Sequence, residues 1–200
     1  MGSNHNRMRR KWQDYCGNNA SLAENAFFDC FSKVFRDTEF SIISKPKDFQ
    51  NIYVTVPLSA DIISEIYNPQ EPITRHGVLP DYAIKNNKTK KTIFIEVKRQ
   101  DGWVEGKERR DGRGNAHERS CKFFTPGLLN ALRQKSLIKE PALPFWTIFL
   151  GDITRDPCRV REITFWYGKH TNHFFFWRKV PDPDLLFKHF DERILPLLEE

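Results

Sequence analysis

The chain has 200 residues, a formal net charge of +6, 39% apolar residues and an aromatic share of 14%. This length is sufficient for one domain with a sizeable core, and the aromatic content excludes an intrinsically disordered chain. No apolar run reaches the roughly 18 residues of a membrane span. Residues 1–11 are polar and basic, so we expect no secretory leader there. We therefore expect a cytoplasmic protein, whose basic excess is compatible with a polyanionic partner without requiring one.

The four cysteines are scattered along the chain and form no C-x-x-C pair. Their spacing favours reduced thiols over a disulfide framework or a zinc site. No internal repeat and no Gly/Ser-rich linker is present, so the sequence predicts a single domain over residues 1–200. Residues 1–19 are expected to form a loosely held basic arm at its start.

The first half of the chain predicts two helices and then two strands. Ser21 and Glu24 have the form of a capping box, and apolar residues at helical spacing follow as far as Phe35. A shorter helix is expected over residues 61–67. The next two segments are strand-like, and the polar residues between them are typical of a turn. They are strands at 81–84 and 92–98 and a turn at 85–91.

The second half begins with a helix at Thr125 and Pro126, with Thr as the N-cap and Pro in the first turn. The apolar run at 145–150 predicts a buried central strand. Two aromatic-rich strands, 160–167 and 173–178, are expected to join through Gly168, and the end of the chain is predicted to be helical. Helices that flank strands in this order predict an α/β fold, with a central mixed β-sheet flanked by helices.

The strand over residues 92–98 carries a carboxylate and an amine on one face. Period-two alternation places Glu96 and Lys98 together with Phe94, while the other face is aliphatic. The midpoint between Asp81 and Glu96 falls inside the polar turn, so a symmetric antiparallel hairpin would set these two carboxylates opposite each other. Directly opposed residues have Cβ atoms roughly 4.5–5.5 Å apart.

Two carboxylates at that separation repel unless a proton or a cation lies between them. Asp81 and Glu96 therefore predict a Mg²⁺ site, whose coordination shell would be completed by water and a substrate phosphate. Lys98 would hold or help to deprotonate an attacking water and stabilise charge on the phosphate. The simpler interpretations are that Asp81 caps a turn after Pro80 and that Glu96 and Lys98 form an exposed salt bridge.

A basic, glycine-containing loop follows this strand. Gly114 permits close backbone approach to a ligand, and Arg113, Asn115 and Arg119 are residue types that read base edges in DNA. Asn115 with Glu118 can also form a capping box that begins a helix. A solvated charged loop is the alternative.

Two further residues are weaker candidates for the same chemistry. His117, in the loop, is a candidate DNA contact. Glu65, on the second predicted helix, is a possible accessory acid near the metal, although an exposed helix glutamate is the simpler interpretation.

These motifs resemble those of a known family of nucleases. Pro80 and Asp81 with Glu96-Val97-Lys98 resemble the PD-(D/E)xK nuclease signature. Residues 114–120 resemble the recognition segment of the EcoRI/MunI group of type II restriction endonucleases. The resemblance implies a mixed sheet between helices and a homodimer on a palindromic DNA duplex, with each subunit cutting one strand to leave 5′ overhangs. It also implies a DNA methyltransferase that protects the same site.

The resemblance further implies a role for each matching residue. Asp81 and Glu96 would bind Mg²⁺ with the Val97 carbonyl, and Lys98 would act on the attacking water. The recognition segment would read the sequence CAATTG, with Arg113 at the outer C·G pair and the inner AATT read by Asn115, Ala116 and Arg119.

Two other functions remain open from the residues alone. One is a different nuclease with the same fold, acting in repair or on DNA junctions. The other is a sequence-specific DNA-binding protein that does not cleave.

Overall fold

A five-stranded mixed sheet forms the centre of the molecule. The computed structural model describes residues 23–101, 117–180 and 183–199. Strands lie side by side in the order β1-β2-β3-β4-β5. The first three are antiparallel neighbours, and β3, β4 and β5 run parallel. The strands are β1 Phe40–Ser44, β2 Tyr82–Asn86, β3 Thr92–Arg99, β4 Phe145–Leu150 and β5 Phe174–Trp177.

Helices cover both faces of this sheet, which confirms the predicted fold class. The α-helices are α1 Ala23–Val34, α2 Ala60–Glu65, α3 Pro126–Ser136, α4 Pro157–Tyr167, α5 Asp184–His189 and α6 Leu195–Glu199. A π-helical turn, Phe190–Ile194, joins α5 to α6, and 3-10 segments include Glu118–Phe124 and Asp152–Thr154. No helix in the described ranges is long and apolar enough to cross a membrane.

Alternation along β3 separates two hydrophobic clusters. Ile93, Ile95 and Val97 pack on one face, with residues of α1, α5 and α6. Phe94 points to the opposite face, where residues of α3 and α4 cover the sheet. Since Glu96 shares the face of Phe94, the sheet directs its carboxylate toward the layer that contains α3 and α4.

The aromatic excess lies mainly in these clusters. Phe31 is fully buried and meets the Trp146 ring edge to face, with ring centroids 6.2 Å apart and planes at 87°. Phe145 and Tyr167 make a similar contact on the other face, at 6.4 Å and 67°. Aromatic pairs in this geometry add to the stabilisation from burial. The composition therefore reflects core packing.

The prediction of two strands joined through Gly168 is wrong. The first of them is helix α4, because Asp156 caps it by accepting hydrogen bonds from the backbone N–H groups of Cys158 and Arg159. Ile163 and Tyr167, four residues apart, are buried, while Phe165 between them is 83% exposed. That is helical spacing, and only Phe174–Trp177 of the second predicted strand is extended.

Other predicted elements are confirmed with changed bounds. The helix expected over residues 61–67 is α2, which begins after its N-cap Ser59 and ends at Glu65. The C-terminal helix is interrupted by the π-helical turn, just before Pro196, whose ring nitrogen cannot donate a hydrogen bond. The predicted N-terminal arm lies outside the described residues.

His189 is a partly buried histidine whose replacement should stabilise the fold. Its ring stacks on Trp146 with centroids 5.6 Å apart and planes at 7°, and its buried Nδ1 has no hydrogen-bond partner among the described residues. Burial lowers the pKa of His189 to about 4. We expect His189→Phe to keep the stack, to remove the unpartnered nitrogen and to raise the free energy of unfolding at pH 7 by about 1 kcal/mol.

The same substitution should reduce acid sensitivity. Because His189 stays neutral in the folded protein while the unfolded chain binds the proton, the native protein loses stability as pH falls from about 6.5 towards about 4. Urea unfolding at pH 7 and pH 5 should show a larger advantage for His189→Phe at pH 5. His76→Phe, at an exposed histidine, is the control. If His189→Phe raised the free energy of unfolding equally at both pH values, the lowered pKa of His189 would be contradicted.

Candidate active site

The β2–β3 hairpin brings the two predicted carboxylates together. Tyr82 pairs with Ile95, so Asp81 lies opposite Glu96 one residue beyond the ladder, as the sequence predicts. The turn forms because the Asn86 side chain accepts hydrogen bonds from the backbone N–H groups of Lys88 and Thr89. The position of Asp81 relative to Glu96 is therefore determined by strand register.

Backbone and side-chain contacts hold this end of β3. Asp81 Oδ2 accepts a hydrogen bond from the Val97 N–H at 2.7 Å. Lys98 Nζ lies 2.6 Å from Glu96 Oε1 and 3.8 Å from Asp81 Oδ2. The Glu96 side chain is 4% exposed and that of Asp81 is 38% exposed, so the cluster opens to solvent on the Asp81 side.

A second lysine, which the sequence did not single out, approaches the same carboxylate. Lys122 Nζ lies 3.9 Å from Glu96 Oε1 and 5.3 Å from the centroid of the Phe123 ring. It belongs to the 3-10 segment Glu118–Phe124, which continues the basic loop. No spacing rule links Lys122 to Glu96, because the two residues meet only through packing of this segment against the sheet.

Glu96 is under electrostatic strain that a cation would relieve. Burial raises the pKa of Glu96 and the nearby Asp81 raises it further, while Lys98 and Lys122 oppose the shift. Glu96 Oε2 is buried and has no hydrogen-bond partner among the described residues. An unpartnered buried carboxylate oxygen beside a second carboxylate is the donor set that a hard divalent cation takes.

The described residues provide only part of a metal coordination shell. No group of three or more His, Cys, Asp or Glu side chains suited to a metal occurs within them. A cation held by Asp81 and Glu96 would therefore need oxygen atoms from the backbone, water or substrate, as Mg²⁺ sites on phosphate substrates usually have. The site fits a metal that works on a phosphate rather than a structural metal.

Comparison with known proteins identifies the family. A family model described as type II restriction enzyme MunI matches residues 1–199. A curated relative from Mycoplasma sp, named "Type II restriction enzyme MunI", is 49% identical over 202 residues, and the alignment covers 100% of both chains. The chain belongs to the MunI family of type II restriction enzymes.

A solved structure agrees with this membership. The crystal structure of MunI restriction endonuclease in complex with cognate DNA matches with a TM-score of 0.85 and 46% sequence identity. The match covers 95% of this chain and 96% of that chain. This member of the MunI family is therefore a site-specific endonuclease with a restriction endonuclease-like α/β fold, and the similarity supports DNA as its partner.

The predicted accessory acid does not join the cluster in this MunI family member. Glu65 ends α2, a helix with no buried residue, and its side chain is exposed. Among the described residues it forms no acidic group of three with Asp81 and Glu96. The structure fits the simpler interpretation of Glu65, an exposed helix glutamate, because α2 buries none of its residues.

The predicted contact of His117 with DNA is also corrected. His117 is fully buried and stacks on Trp166, with centroids 5.4 Å apart and planes at 15°. Its Nδ1 lies 2.9 Å from Gln100 Oε1, and its Nε2 lies 3.3 Å from Glu162 Oε2. Burial and the nearby Arg159 lower the pKa of His117. The ring ties the end of the loop to the end of β3 and to α4, so it presents no edge to a groove.

The remaining predicted recognition residues divide between two regions. Arg119 is exposed, on the same 3-10 segment as Lys122. The others lie outside the described residues; they are Arg113, Gly114, Asn115 and Ala116. Of the predicted capping box, Asn115 lies outside the described residues, whereas a 3-10 segment does begin at Glu118.

Proposed function

We propose that this type II enzyme is a Mg²⁺-dependent endonuclease that cuts both strands of the palindrome CAATTG after the first C. The products would carry 5′-phosphates on 5′ overhangs. The observation that carries the proposal is the cluster of Lys98, Asp81 and Glu96, with Lys98 Nζ 2.6 Å from one carboxylate and 3.8 Å from the other. An amine shared by two carboxylates at an open strand end suits phosphodiester hydrolysis.

Each residue of the cluster has a distinct task in this proposal. Asp81, Glu96 and the Val97 carbonyl would hold Mg²⁺, and the hydrogen bond from Val97 N–H keeps Asp81 in position for it. When bound, the ion supplies positive charge beside the phosphate and makes water more acidic. Lys98 donates hydrogen bonds to the attacking water or a phosphate oxygen and stabilises the negative charge that develops there.

We assign recognition of the DNA bases to the segment that follows β3. Asn115, Ala116 and Arg119 would read the inner AATT, and Arg113 would read guanine of the outer pair, by the pairing geometry of arginine with guanine. His117, which follows Ala116 in the chain, is held in place by its contacts with Gln100 and Glu162. The outer base pair rests on the resemblance to the EcoRI/MunI group, since one arginine reads guanine in either orientation of the pair.

The proposed assembly is a homodimer. Each chain carries one Asp81, Glu96 and Lys98 cluster, whereas a double-strand cut needs two such centres related by the symmetry of the palindrome. We place the enzyme in the prokaryotic cytoplasm, together with a DNA methyltransferase that protects the same sequence.

Plasmid digestion tests this function. Two plasmids, identical except for a single CAATTG or GAATTC site, are incubated with the enzyme and Mg²⁺ or with EDTA. We expect linear product only from the CAATTG plasmid with Mg²⁺, with ends that ligate to an AATT overhang. Cutting at GAATTC would overturn the outer-pair assignment. Binding without cleavage under any divalent ion would favour the DNA-binding alternative, and cutting of branched DNA alone would favour a junction nuclease.

Arg113→Ala should relax specificity at the outer base pair. Loss of a bidentate contact to guanine costs about 1–3 kcal/mol of discrimination at that pair. The ratio of the cleavage rate on CAATTG to the rate on a duplex changed only at the outer pair should therefore fall about tenfold. Lys88→Ala, in the β2–β3 turn, is the control for lost charge. Equal losses on both duplexes for Arg113→Ala would identify Arg113 as a phosphate contact.

A further inference from the structure

A pocket rich in arginine lies beyond the carboxyl ends of β4 and β5. It has a volume of about 680 Å³. Among the described residues, six side chains line it: three are arginines, and the others are small or apolar. The lining residues are Thr154, Arg155, Pro157, Val160, Arg161 and Arg178. None of these residues belongs to the cluster of Asp81, Glu96 and Lys98.

The pocket and the carboxylate cluster share one edge of the sheet. Strands β3, β4 and β5 are parallel, so their carboxyl ends lie side by side. Lys98 is near the end of β3, and the Ile153 N–H, in the turn after β4, donates to the Gln100 carbonyl at 3.1 Å. Arg178 directly follows β5. Two strand spacings of about 5 Å each place Arg178 roughly 10 Å along this edge from Lys98.

The pocket also lies on the same face as Glu96. Its Pro157, Val160 and Arg161 are part of α4. That helix buries Ile163 in the cluster that contains Phe94, whose side chain shares the face of Glu96. A long anionic ligand seated at Lys98 can therefore continue into the pocket without crossing the sheet.

Two of the arginines are each oriented by a hydrogen bond to a backbone carbonyl. Arg178 Nε donates to the Thr154 carbonyl at 2.9 Å, and its guanidinium lies 5.2 Å from the centroid of the Phe176 ring. Arg161 Nη1 donates to the Pro157 carbonyl at 2.7 Å. Each guanidinium keeps further N–H donors beyond these contacts. Such planar forks match the oxygens of a phosphate.

The nearby carboxylate of Asp156 caps helix α4. It accepts the N–H groups of Cys158 and Arg159 at the start of α4, at 2.8 and 3.2 Å. Its charge is therefore partly compensated by the helix that it caps.

We propose that this pocket binds a backbone phosphate of the DNA duplex, outside the phosphate that is cut. The inference rests on the proposed endonuclease function. Successive phosphates of one strand rise by about 3.4 Å along the duplex axis, so a duplex with one phosphate at Lys98 carries others at the distance of the pocket. Contacts to phosphate set register and orientation without reading sequence. The pocket thus orients the duplex across the sheet edge.

Salt-dependent binding tests this assignment. Arg161→Ala is the main variant, because the hydrogen bond that Arg161 donates lies within its own helix, and Arg178→Ala is the second. Arg36→Ala, an exposed arginine after α1 on the opposite side of the sheet, is the matched control. Fluorescence anisotropy with a labelled CAATTG duplex and Ca²⁺ in place of Mg²⁺ gives the affinity at several salt concentrations. We expect each pocket variant to bind about fivefold more weakly near 0.15 M salt, with a salt slope smaller by about one.

The loss should be equal on a duplex with one changed base pair. A methylphosphonate scan then locates the phosphate: one neutral position weakens the wild-type enzyme but not Arg161→Ala. Pocket variants that match Arg36→Ala in affinity and slope would overturn the proposal. So would stabilisation by inorganic phosphate that Arg161→Ala removes without any change in DNA binding. Failure of the proposed function is distinct, since the wild-type enzyme itself would then not cut the CAATTG plasmid.

Discussion

An Asp81→Asn variant is expected to bind its duplex and leave it uncut. Asparagine keeps an oxygen that can accept the 2.7 Å hydrogen bond from Val97 N–H, so the backbone at the end of β3 stays satisfied. It removes the negative charge that a divalent cation requires. Losing several kcal/mol of transition-state stabilisation lowers the cleavage rate by about 10³-fold or more. Alanine is the less informative change, because it also leaves that N–H without its acceptor.

The measurement is a single-turnover cleavage assay beside anisotropy binding in Ca²⁺. Glu65→Gln is the matched control, since it removes one acidic charge from an exposed helix and should leave the cleavage rate within about twofold. An Asp81→Asn enzyme that cuts at the wild-type rate would refute the assignment of the metal site. An unfolded variant, detected by circular dichroism, would instead show that Asp81 is needed for the hairpin.

Lys98→Met should abolish cleavage and make folding stability fall more steeply with rising pH than in the wild type. Methionine fills a similar volume, but the Glu96 carboxylate loses its 2.6 Å partner while only 4% exposed. Burial and Asp81 already raise the pKa of Glu96, and loss of Lys98 removes the largest opposing effect. In the folded variant, Glu96 therefore holds its proton at pH values where Glu96 of the unfolded chain has released it.

The direction of the pH effect follows from proton linkage. A carboxyl group with a raised pKa in the folded state makes the protein less stable as pH rises through the interval between the unfolded and folded values. We expect Lys98→Met to be about 3 kcal/mol less stable than the wild type at pH 8, and the deficit to shrink at pH 5. Urea unfolding of both proteins at both pH values, without divalent ions, measures this difference in the free energy of unfolding.

Lys88→Met serves as the control for the loss of one lysine charge. Lys88 pairs with Glu39 at 3.6 Å, but its side chain is 74% exposed, and such surface pairs contribute about 0–1 kcal/mol. The small effect of Lys88→Met on the free energy of unfolding should be the same at pH 5 and pH 8. A deficit for Lys98→Met that is the same at pH 5 and pH 8 would show that Glu96 does not titrate there.

The centre of the site was predictable because local rules determine it. Alternation along β3 assigns Glu96 and Lys98 to one face, and the polar turn between the strands sets the register that brings Asp81 opposite Glu96. These relations involve residues close in sequence and one hairpin. The buried run of β4 and the helix that begins at Pro126 are likewise confirmed, since each has a strong local signal.

The wrong predictions concern residues whose local composition favours one structure while their packing produces another. The segment Pro157–Tyr167 is rich in β-branched and aromatic residues, which favour strands, yet the cap by Asp156 and the buried pair of Ile163 and Tyr167 make it α4. His117 has the composition of a loop contact, but its position between Gln100, Glu162 and Trp166 makes it a buried support.

By itself, the sequence determined the class of this protein: an α/β fold, a carboxylate pair with a lysine, and membership of a restriction endonuclease group. Only the tertiary structure decided which distant residues join that chemistry. Lys122 approaches Glu96, and Arg161 and Arg178 meet in one pocket, because packed helices and parallel strand ends bring together residues far apart in the chain. Spacing along the chain carries no information about such contacts, since they depend on how whole elements dock.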